Sequence, residues 1–298
     1  MKVVNPIRQP KSSISVPVSS RELLSPLTVC ILAVALAAGV FAIYSPALNF
    51  QFVLDDHRFV GDPRLQSPGH VWEYFTNYVW AQVPGGPSSF YRPLFVLWLR
   101  LNYILSGMSP WGWHFLSIAK HLSVAILLGL LVWELLRDRV GALIAGTLFA
   151  LHPAQTESVA WITVPDPPMS AGVLGALLLY FNYAERRSAE TQPYAEKSRR
   201  KSPKNKRSNS TVGPSRVWLL ASAAAFLAAL LAKETAIVLP AVIFAAALNM
   251  SSGGPEQARR SAGIGTDYCR RLATALREVL PFLGAIVVYL LCRSNALG

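Results

Sequence analysis

Two adjacent carboxylates, Asp55 and Asp56, follow the first long apolar run of the chain. An ionised group at the mouth of a membrane helix costs free energy to place, so such a pair indicates function more often than accident. A carboxylate in this position can take the proton of an acceptor hydroxyl as a general base. The pair is therefore the first candidate for chemistry in this sequence.

The composition assigns the chain to the membrane proteins. Hydrophobic residues make up 52% of the 298 residues and charged residues 15%, and the mean hydropathy is +0.36, which is too apolar for a soluble domain. The net charge of +12 lies between apolar runs, which favours the positive-inside rule over nucleic-acid binding. Cys30, Cys269 and Cys292 are far apart and indicate neither a disulfide framework nor a metal site.

Seven apolar runs predict an all-α fold, a polytopic transmembrane helix bundle of about seven spans with a large external loop. The basic segments 1–26 and 185–216 are expected on the cytoplasmic side. Residues 45–113 then form the external loop, in which the segment 93–105 is short, carries Arg100 and is predicted as an interfacial helix. The predicted spans are 27–44, 114–136, 140–152, 169–184, 217–232, 236–250 and 279–292.

This topology divides the chain into four parts. We expect a cytoplasmic tail over 1–26, four spans over 27–184 with the external catalytic loop 45–113, a basic disordered cytoplasmic linker over 185–216, and three spans over 217–298. Because the sequence stops just past the last apolar run, we also expect a truncated C-terminus. The predicted location is multi-pass in a membrane, the bacterial inner membrane or, in a eukaryote, the endoplasmic reticulum.

Three separate loops bring acids and bases to the external face in this topology. Each of these residues has a simpler explanation when taken alone, such as a snorkelling Lys or an Arg that binds lipid headgroups. Together they suit a lipid-linked phosphate, because the base takes the proton of an acceptor hydroxyl while cations stabilise the departing phosphate. That chemistry is glycosyl transfer from a polyprenyl phosphate carrier. The residues are Asp55, Asp56, His57, Arg58, Tyr91, Arg92, His152, Glu157, Asp166, Lys233 and Glu234.

Four sequence blocks resemble the transmembrane and tetratricopeptide-repeat-containing family of the glycosyltransferase C superfamily. They are Phe-Val-Leu-Asp-Asp at 52–56, Tyr-Arg-Pro-Leu at 91–94, Leu-His-Pro-Ala-Gln-Thr-Glu-Ser-Val-Ala-Trp-Ile at 151–162 and Lys-Glu-Thr-Ala at 233–236. Animal members of this family are O-mannosyltransferases of the secretory pathway. The resemblance departs after Trp161, where the family has a Gly-Arg-x-Asp-like run and this chain has Asp166 without the Arg.

The resemblance implies a transferase that moves a sugar from a polyprenyl, dolichyl-type phosphate to an acceptor hydroxyl, with protein O-mannosylation as one form of the reaction. The implied partners are a polyprenyl-phosphate-linked sugar, an acceptor protein or glycan and membrane lipid, without nucleic acid. No cofactor is certain, and a divalent cation stays open although no metal ligands are predicted. The implied roles are catalytic for Asp55 and Asp56, donor phosphate binding for Arg92, His152 and Lys233, and acceptor binding or support for Tyr91, Glu157, Asp166 and Glu234.

Two other functions stay open at this stage. In a transporter or channel subunit, Lys120 and His121 of the second apolar run would line the path, since ionisable residues at membrane depth indicate function. In a non-catalytic remnant, the fold would persist without activity, which the missing Arg favours and the intact acid pair opposes.

Overall fold

The computed structural model describes residues 25–82, 89–199, 215–250 and 264–298. Every regular element within these ranges is helical, which confirms the predicted all-α class. Short 3-10 helices cover Ser45–Asn49, Pro68–His70, Pro153–Gln155 and Glu234–Val238. The α-helices are α1 (Pro26–Tyr44), α2 (Asp56–Val60), α3 (Pro63–Gln66), α4 (Glu73–Thr76), α5 (Pro93–Ser106), α6 (Pro110–Leu136), α7 (Arg139–Leu151), α8 (Thr156–Ala160), α9 (Asp166–Arg199), α10 (Arg216–Ala232), α11 (Leu239–Met250) and α12 (Ile264–Leu297).

Three helices in the described ranges are long and apolar enough to cross a membrane. They are Cys30–Asn49, Pro110–Leu136 and Tyr268–Leu297, whereas about seven spans are predicted from the sequence. A span needs about 20 residues, and polar breaks shorten four of the other apolar helices. Helix α9, which contains the predicted span 169–184, is 34 residues long but is not among the three. The shorter ones are Pro93–Ser106, Arg139–Leu151, Arg216–Ala232 and Glu234–Met250.

The predicted cytoplasmic segments are only partly described. Residues 1–24 of the tail and 200–214 of the linker lie outside the described residues. Helix α9 continues through Arg199 and so includes the first part of the segment 185–216 that the sequence predicts as a disordered linker.

Helices α9, α10 and α12 pack around one apolar core. Phe226 of α10 and Phe282 of α12 are fully buried, with ring centroids 5.8 Å apart. Buried Glu278 of α12 accepts a hydrogen bond of 2.6 Å from the Tyr180 hydroxyl of α9. These contacts hold α9, α10 and α12 together, and predicted site residues lie at the start of α9 (Asp166) and directly after α10 (Lys233).

Helices α6 and α7 approach each other closely through two glycines. A Cβ atom at Gly129 would lie 3.3 Å from the Ala142 carbonyl oxygen, and one at Gly146 would lie 3.3 Å from the Ala125 carbonyl oxygen. Small residues at helix crossings allow this backbone approach within a membrane. Helices α6 and α7 are therefore closely packed against each other.

The external loop folds as a compact layer on α5. Arg64 is almost fully buried, pairs with Asp62 at 2.7 Å and donates to the Val79 carbonyl oxygen at 2.6 Å. Arg100 of α5 donates to the carbonyl oxygens of Leu65 at 2.7 Å and Ser67 at 3.0 Å. Because buried cations that satisfy backbone carbonyls fix loop geometry, the loop gives the acid pair a defined position.

Candidate active site

The acid pair follows an unusual backbone conformation at Leu54. This residue has φ +47°, which side chains other than glycine rarely adopt, and its side chain is exposed. Asp55 is the N-cap of α2 and Asp56 its first residue. Backbone strain of this kind is found most often at functional loops, and here it reverses the chain immediately before the two carboxylates.

The Asp56 carboxylate is fully buried and joins two parts of the chain. Its Oδ2 accepts a hydrogen bond of 3.1 Å from the Val53 backbone N–H, and its Oδ1 accepts one of 2.8 Å from the Thr163 hydroxyl. Burial raises the pKa of Asp56, and these hydrogen bonds and the nearby His114 oppose the rise. Asp56 thus anchors the loop that carries the acid pair to the segment before α9.

Asp55 lies in a different environment. It is half-buried, and its side chain makes no hydrogen bond or ion pair with any residue in the described part of the chain. Its backbone carbonyl accepts from the N–H groups of Arg58 and Phe59, each at 3.0 Å, which starts α2. Of the two adjacent carboxylates, Asp56 is therefore hydrogen-bonded within the protein, and Asp55 has no such bond among the described residues.

Four predicted site residues form two ion pairs. The Arg92 guanidinium donates to both Glu234 carboxylate oxygens, at 2.9 Å through Nε and 2.5 Å through Nη2. The Lys233 ammonium lies 2.6 Å and 2.7 Å from the two Asp166 carboxylate oxygens. Lys233 and Glu234 are consecutive in the chain. Glu234 therefore contacts the start of α5, and the neighbouring Lys233 contacts the start of α9. The two cations predicted to bind phosphate are therefore already paired with carboxylates.

The other predicted residues do not join this group. His152 is exposed, and its Nδ1 accepts a hydrogen bond of 3.1 Å from the Ala154 N–H, which caps a 3-10 helix. Tyr91 is buried and donates from its hydroxyl to the Phe75 carbonyl oxygen at 3.1 Å, and burial raises its pKa to about 12. Glu157 is exposed on α8.

Helix α6 carries three buried polar side chains toward the site. His114, Ser117 and Lys120 are at most 7% exposed, and their polar side-chain atoms have no hydrogen-bond partner among the residues described. The Lys120 ammonium lies 5.7 Å from the Trp98 ring centroid. His121, by contrast, is hydrogen-bonded to the Ala150 carbonyl oxygen at 2.9 Å, which fits a packing role better than a transport path.

Sequence reasoning missed Thr163, whose hydroxyl holds Asp56. Thr163 is the first residue of the segment after Trp161 in which the chain departs from the family pattern. This departure drew attention to the segment, but the sequence did not show that Thr163 contacts Asp56. The described residues contain no group of three or more His, Cys, Asp or Glu side chains that could hold a metal ion.

The chain is similar to several proteins named protein O-mannosyl-transferase. It is 31% identical to Tmtc2 of Drosophila melanogaster over 259 residues, which are 85% of this chain and 24% of that protein. It is 40% identical to Tmtc1 of Drosophila melanogaster over 129 residues, 42% of this chain and 15% of that protein. With TMTC2 of Homo sapiens it shares 33% identity over 150 residues, 49% and 18% of the two chains.

The chain spans about a quarter or less of the length of these relatives. No protein-family model matches it, and no solved structure matches it. The three relatives are all named transferases, which favours a transferase over a transporter.

Proposed function

We propose that this chain, which belongs to a TMTC O-mannosyltransferase-like family, forms the membrane part of a glycosyltransferase of the C type. The enzyme would move a sugar from a polyprenyl phosphate carrier to an acceptor hydroxyl at the external face. The names of the relatives suggest a mannosyl group as the sugar and a protein as the acceptor.

The contrast between Asp55 and Asp56 is the observation that carries the proposal. In the proposed reaction the acceptor oxygen forms a bond to the anomeric carbon of the sugar, and the bond from that carbon to the phosphate oxygen breaks. The acceptor proton passes to the free Asp55 carboxylate, and the electron pair of the broken bond stays on the phosphate. Asp56, which is buried and bonded to Thr163, holds the loop in the geometry that this proton transfer needs.

The paired cations fit a preorganised phosphate site. Arg92 and Lys233 are 14% and 20% exposed at their side chains, so each is accessible at one edge although a carboxylate holds it. Carboxylates that hold a cation before substrate arrives lower the entropy lost on binding. The carrier phosphate would then bind at the exposed edges of Arg92 and Lys233. Exposed His152 remains a third candidate for this contact.

The seven-span arrangement is also proposed here. The three long helices would be joined by α7, α9, α10 and α11, whose apolar faces pack on their neighbours. Short helices are tolerated at membrane depth where protein neighbours satisfy their polar ends. The protein would then be multi-pass, in a membrane that contains polyprenyl-phosphate sugars: the endoplasmic reticulum of a eukaryote or the inner membrane of a bacterium.

Reconstitution of the full chain with a radiolabelled carrier tests this function. The protein in detergent is mixed with mannosyl-phospho-polyprenol and a peptide rich in Ser and Thr, and label on the peptide is counted. We expect label transfer by the unchanged chain and none by Asp55→Asn. Transfer from a nucleotide sugar without the lipid carrier would contradict the proposed donor. No transfer from any polyprenyl-linked hexose would contradict the transferase itself.

A further inference from the structure

A groove of about 500 Å³ opens beside the acid pair. One wall is the segment 49–53, and the other is α8 together with Trp161. We call it the acceptor groove. Most of its lining is apolar, from residues such as Phe50, Val53 and Ala160. A concave apolar site with a few polar groups is the usual form of a binding site.

Asp56 joins the two walls of the acceptor groove. Its Oδ2 accepts from Val53, which belongs to the first wall, and its Oδ1 accepts from Thr163, two residues beyond Trp161 of the second wall. Asp55, the free carboxylate, comes two residues after Val53 in the chain. The backbone of Asp55 therefore lies close to the first wall of the groove.

Two polar groups of the second wall lack partners. The Trp161 indole Nε1 is buried and has no hydrogen-bond acceptor among the residues described. Exposed Glu157 makes no hydrogen bond or ion pair within the described ranges through its carboxylate. A buried donor without an acceptor costs free energy until a ligand supplies one. A single carboxylate at the groove selects for a positive charge.

We propose that the acceptor groove binds the acceptor polypeptide as an extended segment, with a Lys or Arg of the acceptor facing Glu157. A carbonyl oxygen of the acceptor would accept from the Trp161 indole after a small movement of that side chain exposes Nε1, and the apolar wall would pack on aliphatic side chains of the acceptor. This inference rests on the proposed function, because it places an acceptor Ser or Thr beside Asp55. It adds a sequence preference, since acceptor sites with nearby basic residues bind more tightly than those with acidic residues.

The prenyl chain of the donor is the competing occupant. A pure hydrocarbon chain would leave the Trp161 N–H without an acceptor, which costs free energy in an apolar site. The negative charge of Glu157 would also repel a carrier phosphate placed at this groove. Both features fit a polypeptide better, because it offers carbonyl oxygens and basic side chains.

The first test measures peptide binding without any donor. A short fluorescent peptide with a central Thr flanked by lysines is titrated with the purified full chain, and anisotropy gives Kd. Ala160→Trp fills the groove and should weaken binding by about tenfold or more, as loss of a packed site does. Ala154→Trp places the same side chain on an exposed residue outside the groove and should leave Kd unchanged. Equal Kd values for the two variants would overturn the groove assignment.

The second test exchanges the charge of the groove. Glu157→Lys should weaken the lysine-flanked peptide and tighten a glutamate-flanked one, by about two- to fivefold each for a part-exposed pair. Glu185→Gln, a change at an exposed acid on α9, should alter neither. The same direction of change for both peptides would overturn the charge preference. This variant keeps the proposal testable should Ala160→Trp fail to fold, which gel filtration reveals.

The two proposals fail separately. Peptide binding that obeys both tests, without any sugar transfer, would contradict the transferase and leave the groove in place. Transfer by Ala160→Trp with an unchanged acceptor KM would contradict the groove and leave the transferase. A raised donor KM with an unchanged acceptor KM in Ala160→Trp would assign the groove to the prenyl chain and overturn the inference.

Discussion

The Asp56 carboxylate and the Thr163 hydroxyl, 107 positions apart in the chain, are joined by a buried hydrogen bond of 2.8 Å. The bond ties the external loop to the segment that leads into α9. Because both partners are buried, water cannot replace either partner without rearrangement. This long-range contact therefore helps to fix the position of the adjacent Asp55.

Thr163→Val should destabilise the protein because it leaves a buried carboxylate with one hydrogen bond fewer. We expect a loss of roughly 1.5–3 kcal/mol, the range for hydrogen bonds to charged groups. The free energy of unfolding in detergent, measured with denaturant, checks this. Thr76→Val is the matched control, since Thr76 is partly exposed and its hydroxyl makes only long hydrogen bonds of 3.5 Å, one to the Trp72 carbonyl oxygen and one from the Asn77 side-chain amide. Equal losses in the two variants would contradict the role of Thr163.

Asp55→Asn should abolish sugar transfer and leave folding intact. The two side chains have nearly the same shape, and Asp55 makes no side-chain contact within the described ranges whose loss would destabilise the fold. Loss of a general base lowers rates by about 10²–10⁴. Transfer assays with the labelled carrier give the rate, and thermal unfolding gives the stability. Full activity of Asp55→Asn would move the catalytic role to another carboxylate of the site.

Arg92→Gln and Lys233→Gln should each weaken binding of a polyprenyl phosphate sugar. Charge-assisted contacts to an anion contribute roughly 1.5–3 kcal/mol, so about ten- to a hundredfold in Kd is expected. A non-ionic lipid-linked analogue should bind the variants and the unchanged chain alike. Arg137→Gln, an exposed cation after α6, serves as the control. If these cations only bind lipid headgroups, all three variants should show the same small change in Kd for both the charged donor and the non-ionic analogue.

The pH dependence of stability should reveal the burial of Asp56. Its pKa is raised above the ordinary 3.8 in the folded protein, so the folded state holds the proton more tightly than the unfolded chain. The stabilisation from this proton is complete below the ordinary value and is lost as pH rises through the raised pKa. Thermal unfolding against pH should therefore show a decline in that window for the unchanged chain. If the stability of the unchanged chain and that of Asp56→Asn decline in parallel with pH, the decline does not come from Asp56.

Cysteine labelling should place the acid loop and the end of α9 on opposite sides of the membrane. In a background without Cys30, Cys269 and Cys292, a cysteine at exposed Gln66 should react with an impermeant reagent in intact cells. One at exposed Ala189 should react only after permeabilisation. Labelling of Ala189→Cys in intact cells would reverse the proposed orientation, which rests on the basic residues that follow.

Composition and charge pattern predicted the helical class, because both depend on many residues at once, whereas the family was predicted from the resemblance of four sequence blocks. The sequence also indicated that Arg92, Asp166, Lys233 and Glu234 face the same side. Which cation pairs with which acid was not predictable, since the Arg92–Glu234 contact joins residues 142 positions apart and is set by how α5 packs on α10. The roles of these residues stay predictions.

The sequence also did not predict that the side chains of Asp55 and Asp56 differ in burial and hydrogen bonding. The two side chains are identical and adjacent, so no property of composition separates them. The positive φ at Leu54 turns the chain so that one carboxylate enters the protein and the other does not. The sequence contains seven apolar runs, but only three helices in the described ranges are long and apolar enough to cross a membrane by themselves. Two of the shorter helices end where Lys233 and His152 leave the regular backbone.

The adjacent residues Lys233 and Glu234 couple the positions of α5 and α9. One rigid, planar peptide unit separates the two residues. Lys233 is ion-paired with Asp166 at the start of α9, and Glu234 is ion-paired with Arg92 at the start of α5. If α5 moves relative to α9, one of these two ion pairs must lengthen unless the segment between α10 and α11 moves as well. The Lys233-Glu234 dipeptide is thus a second link between the external loop and α9, beside the Asp56–Thr163 hydrogen bond.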